Sequence, residues 1–415
     1  MTRYLVHPLF LFVAVWVGAT ALYLGGVYAG VFSHADPAVL GLVALNVGAF
    51  AVGYFTCRAF ALLRRTPERN ERLPGVPLTA ARLRLALNVT LAAGVLAFLL
   101  CAARLVLVAA RYKIGLLELL SNPMVWRGKL TTFVGQTVYE TSLSAIAISL
   151  ASSVFSIGFV LLGICVYFGR DRRRYLYVVL FLSLMLGIGM LNLSRKELMV
   201  NVLFLVLSYA MMHYVYRTRS MAEVLQHLLI PACVVVVLFV AIDLLLAKSQ
   251  TYGHQSKLAG FCFSLYWYVA SPLAAFGEFL ANRDETYSLG RNLFFPIHKW
   301  FYRLHLAAPT EIAVYGEKVY IPYVANVYSY LRNIYEDFGV FGVAIVPYVL
   351  GWVAAILRQK ARAFFPYLNM YVILLVLLVF SFYNYLLISN QFYLQAFFAL
   401  AFFRFNLTGL DRTGL

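Results

Sequence analysis

Long apolar stretches alternate with shorter polar ones along the whole chain. Most of the apolar stretches run for about 20 residues, the length that an α-helix needs to cross a hydrocarbon core of roughly 30 Å. Hydrophobic residues are continuous within them, which argues against membrane-spanning strands. The pattern predicts about ten membrane-spanning helices, at residues 6–32, 38–62, 84–109, 137–168, 176–193, 197–216, 227–247, 339–357, 366–388 and 390–405.

One polar interruption, residues 248–337, is much longer than the others and predicts a single large periplasmic loop that contains short helices. The predicted fold is therefore all-α, a polytopic membrane protein. It divides into seven transmembrane helices over residues 1–247, the loop over 248–337, and three helices with a cytoplasmic tail over 338–415. The composition agrees, because 63% hydrophobic and 12% charged residues lie far from the values of soluble globular domains.

Basic residues are concentrated in the connections on one side of the predicted bundle. Because short cytoplasmic loops carry an excess of Lys and Arg, these connections and both termini are predicted to be cytoplasmic. The net charge of +17 then follows from topology and indicates no nucleic-acid partner. The residues are Arg64, Arg65, Arg69, Arg72, Arg82, Arg84, Arg170, Arg172, Arg173, Arg174, Arg217, Arg219, Arg358, Lys360, Arg362 and Arg404.

Residues 258–280 form an apolar stretch of ambiguous topology. They are almost long enough to span, but Ser264, Pro272, Glu278 and a cluster of aromatic residues favour a re-entrant or interfacial helix. A spanning helix here would move residues 282–337 to the other side of the membrane. The dense basic residues near position 360 argue against that arrangement.

The sequence contains none of the motifs that mark several common classes of enzyme. No Walker, HExxH or GxSxG pattern occurs, so an ATP-driven or soluble-cofactor enzyme is not expected. The five cysteines are scattered through apolar stretches without metal-ligand spacing, so we predict neither a metal nor a cofactor.

Charged residues at the predicted outer surface carry the first hints of chemistry. Arg195 and Lys196 lie in a very tight turn, where they either snorkel to lipid headgroups or form a receptor for a phosphate or pyrophosphate. Arg104 and Asp243 lie within predicted spans, where charge is costly. They form either a structural pair or the lining of an outward-facing cavity.

The end of the long polar segment, Pro322–Gly342, concentrates polar and aromatic residues. We predict a helix here that runs directly into the eighth span. It would present two neighbouring stripes, Asn326, Tyr330, Asn333 and Asp337 on one and Tyr328, Arg332, Tyr335 and Glu336 on the other. An interfacial aromatic belt with an ordinary Glu–Arg pair explains the same residues, so both interpretations stay open.

Four segments together resemble the Wzy family, the O-antigen or oligosaccharide repeat-unit polymerases of bacterial envelopes. They are SRKEL (194–198), YWYVASPLAAF (266–276), GRNLFFPI (290–297) and NVYSYLRNIYEDFGVFG (326–342). The resemblance covers mainly residues 190–357, whereas the first five spans match only in hydropathy.

The resemblance implies a glycosyltransferase that uses a polyprenyl-pyrophosphate-linked donor instead of a nucleotide sugar. It would transfer the growing glycan from undecaprenyl pyrophosphate to the non-reducing end of an incoming lipid-linked unit. The reaction is expected at the periplasmic face of the bacterial inner membrane, with a flippase and a chain-length regulator as partners. An O-antigen ligase and a lipid-linked oligosaccharide flippase or transporter are the alternatives.

Residues suited to this chemistry can be assigned to three roles. A leaving pyrophosphate needs cations, and an attacking sugar hydroxyl needs a general base. The pyrophosphate candidates are Arg195, Lys196, Arg291, Arg332 and Arg127. The catalytic candidates are Asp337 first, then Glu336, Glu278 and His298, and the sugar-binding candidates are Asn326, Tyr328, Tyr330 and Trp300. Helix capping or an ion pair with Arg332 is the structural alternative for Asp337.

Overall fold

The computed structural model describes most of the chain, and most of the described residues are helical. The described residues are 6–63, 76–115, 118, 143–169, 172–192, 195–216, 257–282, 287–297, 301, 306, 319–325, 328–383 and 390–407. The helices are α1 Pro8–Tyr28, α2 Pro37–Leu63, α3 Ala80–Tyr112, α4 Leu143–Phe168, α5 Arg173–Asn192, α6 Arg195–Tyr216, α7 Lys257–Ala281, α8 Tyr330–Lys360, α9 Phe365–Phe380 and α10 Asn390–Phe402.

The predicted class, an all-α membrane protein, is confirmed. Within the described ranges, 7 helices are long and apolar enough to cross a membrane, and α9 is a shorter apolar helix. Those 7 are α1 to α6 and α8. The predicted span 227–247 and parts of the predicted loop lie outside the described residues. The last two predicted spans extend too far, because α9 ends at Phe380 and α10 at Phe402.

Two short pairs of β-strands, which the sequence did not predict, lie at the two ends of the bundle. At one end, β1 (Val76–Pro77) pairs in parallel with β4 (Phe405–Asn406). At the other end, β2 (Val319–Tyr320) and β3 (Val324–Ala325) form an antiparallel hairpin. The hairpin lies beside α7 and the α1–α2 connection, and we call this end of the bundle the α7 end.

Close helix packing in the bundle depends on small residues, as is usual where lipid supplies no hydrophobic drive for association. The clearest case is the crossing of α2 and α8. A Cβ at Gly53 would lie 2.0 Å from the carbonyl oxygen of Tyr348, and one at Gly351 would lie 2.2 Å from that of Phe50. The two backbones therefore touch at this crossing.

Helix α7 lies across one end of the bundle. Trp267 stacks on Phe32 of the α1–α2 connection, with ring centroids 5.7 Å apart, and meets Tyr323 of the hairpin edge-on at 5.5 Å. Tyr268 packs at 5.5 Å from Tyr383, which follows α9. Because these partners share one end of the bundle, the contacts favour the interfacial interpretation of residues 258–280.

Helix α8 is broken at Gly339, whose backbone (φ 60°, ψ −147°) is non-helical. A Cβ at Gly342 would lie 2.7 Å from the carbonyl oxygen of Ile334. In a continuous helix these two residues would be about 12 Å apart along the axis. The segments 330–338 and 340–360 are therefore two helices that fold back on each other. We call 330–338 the short helix of α8.

The short helix begins inside the bundle. The backbone N–H of Tyr330 donates to the carbonyl of Ser381 at 3.0 Å, and its ring packs at 5.8 Å from that of Trp16. Its hydroxyl donates to the side-chain carbonyl of Asn46 in α2. Tyr330 is 3% exposed. The chain therefore enters the bundle before this helix and returns toward the α7 end along it.

The prediction of one helix across 322–342 that runs straight into the eighth span is wrong at both ends. The hairpin β2–β3 occupies its first residues, and the break at Gly339 separates the short helix from the spanning one. The division placed at 338 lies next to this break at Gly339.

Candidate functional site

The predicted site residues fall into three groups in the structure. Arg127, His298, Trp300 and Asn326 lie outside the described residues. Arg195 and Lys196 open α6, and the structure describes only their backbone. The remaining candidates are described in full and lie on or beside α7 and the short helix of α8: Glu278, Arg291, Tyr328, Tyr330, Arg332, Glu336 and Asp337.

Asp337 anchors a separate stretch of chain to the short helix of α8. Its side chain is fully buried. One carboxylate oxygen accepts hydrogen bonds from the backbone N–H (3.0 Å) and side-chain amide (3.1 Å) of Asn292, and from the hydroxyl of Ser288. The other oxygen accepts the backbone N–H of Leu293 at 2.7 Å. The backbone carbonyl of Asp337 also accepts the N–H of Leu289 at 3.1 Å.

This geometry favours a positioning role for Asp337 over proton transfer. A general base must direct a lone pair toward the substrate, whereas both oxygens of this carboxylate already accept bonds from the 287–297 stretch. Neither helix capping nor an ion pair with Arg332, the two structural alternatives for Asp337, describes this arrangement. Arg332 lies instead near Glu336, with Nε 3.9 Å from Oε2.

Replacing Asp337 with asparagine is expected to lower the apparent melting temperature of the purified protein. The variant keeps the shape but turns one acceptor oxygen into a donor that faces other donors. Hydrogen bonds to a charged group are each worth about 1.5–3 kcal/mol, so we expect a loss of at least about 2 kcal/mol. Glu336→Gln, which alters the neighbouring, partly exposed carboxylate, is the matched control. Equal melting of both variants and the wild type would contradict the anchor.

Arg332 is held between two aromatic rings. Its guanidinium carbon lies 4.1 Å from the ring centroid of Tyr328 and 4.9 Å from that of Phe279. Cation–π contacts of this kind fix a guanidinium without using its hydrogen-bond donors. Its Nε is buried and has no hydrogen-bond partner within the described residues. The side chain is 12% exposed and its Nε lies 3.9 Å from Oε2 of Glu336, so this is a guanidinium in a fixed position.

A cavity of about 260 Å³ opens at the α7 end. It is bounded by the end of α1, the α1–α2 connection, α7 and the β2–β3 hairpin. Glu278 lines it, and the next residue in α7 is Phe279, whose ring lies under the guanidinium of Arg332. The polar and aromatic residues of its wall include Tyr23, Ser33, His34, Asp36, Glu278 and Tyr320.

The cavity wall contains two carboxylates, which differ in the hydrogen bonds that they already accept. Asp36 accepts the backbone N–H of Ala38 at 2.8 Å, at the start of α2, so one of its oxygens is used. Glu278 accepts a long hydrogen bond of 3.4 Å from the side chain of Asn282. The Tyr23 hydroxyl donates to the carbonyl of His34 at 3.2 Å. Glu278 is thus the less constrained of the two carboxylates.

Sequence reasoning identified Glu278 but missed Asp36 and His34. Both belong to the short polar segment SHADP (33–37) between the first two spans. The polarity of this segment was the available signal. However, Glu278, the other carboxylate of the cavity wall, is more than 200 positions away along the chain. The pairing could be found only from the fold.

The other described candidates lie around this site without lining the cavity. Tyr328 is 7% exposed and packs against Arg332, whereas Tyr330 lies deeper, with its hydroxyl bonded to Asn46. Arg291 precedes Asn292 in the stretch that Asp337 anchors. The Nε of Arg291 is buried and has no hydrogen-bond partner in the described part of the chain.

Arg104 forms a second polar cluster on other helices. It donates to the side-chain carbonyl of Asn192 at the end of α5, and the Asn192 amide donates to Glu197 of α6 at 3.3 Å. Its predicted partner, Asp243, lies outside the described residues. The cluster joins α3 to the tight turn between α5 and α6.

Comparison with known proteins does not assign a family. No protein-family model matches the chain, and neither the curated proteins nor the solved structures give a significant match. The function must therefore be inferred from a guanidinium fixed between two aromatic rings, from a carboxylate-lined cavity at one end of a membrane bundle, and from the sequence motifs.

Proposed function

We propose that this chain is a membrane glycosyltransferase that polymerises oligosaccharide repeat units carried on a polyprenyl pyrophosphate. One observation carries the proposal: Glu278, which lines the cavity, and Phe279, whose ring contacts the guanidinium of Arg332, are consecutive residues of α7. A transferase of this kind needs a cation for the leaving pyrophosphate and a carboxylate for the attacking hydroxyl, within reach of each other. The resemblance of four sequence segments to the Wzy polymerases supports the same reaction.

The proposed reaction is a single displacement. The acceptor hydroxyl oxygen forms a bond to the anomeric carbon of the donor glycan. The bond from that carbon to the pyrophosphate breaks, and its electron pair stays with the pyrophosphate. Glu278 takes the hydroxyl proton, and Arg332 stabilises the charge that develops on the leaving group. Asp337 positions the short helix of α8, on which Arg332 lies.

The proposal includes a location and an orientation. The α7 end would face the periplasm from a bacterial inner membrane, with about ten spans in all and the 248–337 segment outside. The basic residues at the opposite end support this orientation, because short cytoplasmic connections are rich in Lys and Arg. Arg358 is one of them, and it donates to the hydroxyls of Tyr54 (2.6 Å) and Tyr214 (3.2 Å). A flippase and a chain-length regulator are the proposed partners, and no cofactor is needed.

The proposal is tested by elongation in a defined system. Purified protein in phospholipid nanodiscs receives one undecaprenyl-pyrophosphate-linked repeat unit, without nucleotide sugar, ATP or added metal. We expect a ladder of lipid-linked glycans that differ by one repeat unit. A single unextended band would overturn the polymerase. Transfer to added lipid A core in place of the ladder would indicate a ligase.

A lipid-linked oligosaccharide flippase is the second candidate, and one observation favours it. Transporters often build substrate sites from helices that are interrupted inside the bundle, and the short helix of α8 begins inside the bundle at Tyr330. Proteoliposomes with a fluorescent lipid-linked repeat unit separate the two functions. Movement of the label across the bilayer without elongation would favour the flippase, whereas elongation without movement would favour the polymerase.

A further inference from the structure

The cavity at the α7 end carries negative charge without a compensating Lys or Arg among the described residues of its wall. Both carboxylates, Asp36 and Glu278, lie within electrostatic range of the Tyr23 phenol, so their fields overlap inside the cavity. The wall also contains His34, whose Nδ1 lies 3.0 Å from the hydroxyl of Ser33. Arg332, by contrast, is held outside the wall by Phe279 and Tyr328.

This separation of charge assigns the two halves of a lipid-linked substrate to different places. A pyrophosphate is repelled by a pair of carboxylates and attracted by a guanidinium. A sugar ring brings hydroxyl groups that can donate hydrogen bonds to carboxylates, and an apolar face that suits the exposed ring of Tyr320 in the wall. The small volume of the cavity, below the usual range for drug-sized ligands, fits a short glycan end rather than a whole repeat unit.

We infer that this cavity binds the terminal sugar of the acceptor glycan and selects for a neutral or amino sugar against an acidic one. The inference rests on the proposed function, because it names the acceptor for that same site. It adds Asp36 as a specificity residue that acts through charge. A terminal uronic acid would place a third carboxylate in the cavity and lose affinity.

Three matched probes test the charge preference directly. The methyl glycosides of glucosamine, glucose and glucuronic acid share one ring and differ in charge. They are titrated against the full-length protein in nanodiscs and followed by saturation-transfer NMR. We expect affinity in the order amine, neutral, acid, with about tenfold between the first and the last at low salt. The difference should shrink as salt screens the partly open cavity.

Charge-neutralising variants give the control. In Asp36→Asn combined with Glu278→Gln, the three probes should bind within about twofold of one another. Glu118→Gln removes an exposed carboxylate outside the cavity and should keep the wild-type order. Ethanolamine is the fourth probe, and it should bind at least about tenfold more weakly than the amino sugar because it offers no ring.

Three results with the sugar probes would overturn the inference. They are equal affinity for all three sugars in the wild type, an unchanged order in the double variant, and no binding of any sugar. Ethanolamine binding as tight as that of the amino sugar would show that an amine alone is recognised, and would also overturn it. None of these results depends on elongation, so the ladder assay would still judge the proposed function separately.

Discussion

Replacement of Gly339 by alanine is expected to cause one of the largest losses of folded protein of any conservative change in this chain. The residue has φ 60° and ψ −147°, a region that is essentially restricted to glycine. Its new Cβ would also lie 2.8–3.0 Å from the ring atoms of Tyr287. Backbone strain of this type costs about 1–3 kcal/mol before the steric clash is counted. The measurement is the monodisperse fraction and the apparent melting temperature after purification.

Two further variants sharpen this test. Gly25→Ala in α1 is the matched control, because a Cβ there has open space, and it should melt like the wild type. Tyr287→Ala added to Gly339→Ala removes the clash but leaves the strained backbone, so the double variant should remain unstable. A Gly339→Ala protein as stable as Gly25→Ala would contradict the reversal of the chain at this position.

Replacement of Glu278 by glutamine is expected to reduce the elongation rate by about 10²–10⁴-fold, the usual contribution of a general base. Glutamine keeps the size of the side chain and can still accept the hydrogen bond from Asn282, so folding should be unaffected. The measurement is the initial rate of ladder formation at saturating acceptor, together with the melting temperature.

The control for this prediction is Glu118→Gln, which neutralises an exposed carboxylate away from the cavity and should elongate at the wild-type rate. Arg332→Gln should also lose elongation, because the leaving pyrophosphate loses its cation. Normal elongation by Glu278→Gln, with loss of activity but not of stability in Asp337→Asn, would return the base to Asp337 and contradict our assignment.

The helices of the bundle could be predicted because their signal is local. The span predicted at 38–62 and the observed α2, Pro37–Leu63, agree closely, since an uninterrupted apolar stretch is sufficient to define such a helix. The break in α8 could not be predicted in the same way. Nothing near Gly339 in the sequence distinguishes it from Gly342, which stays helical. Just before Gly339, the backbone carbonyls of Glu336 and Asp337 accept hydrogen bonds from Ser288 and Leu289, which belong to another part of the chain.

The sequence identified several residues of the candidate site, but it did not predict how the fold arranges them. Asp337 stood out as a carboxylate at the membrane edge, but its role depends on Asn292 and Leu293, which the fold brings to it from the preceding segment. Glu278 was a lower-ranked candidate because the cavity beside it needs Asp36 from a distant connection. Contacts between distant segments decide which of several polar residues face a ligand, and one sequence does not contain them.

The central claim is that the terminal sugar of a lipid-linked glycan binds in the cavity between α7, the α1–α2 connection and the β2–β3 hairpin. Photo-crosslinking tests it most directly, with a lipid-linked repeat unit that carries a diazirine on its terminal sugar, bound to the full-length protein in nanodiscs. Mass spectrometry then identifies the labelled peptides. We predict labels in the cavity wall, at residues 31–36, 274–281 and 320–322, with competition by unlabelled substrate. Competed labels confined to α3, α5 or the β1–β4 end would contradict the claim.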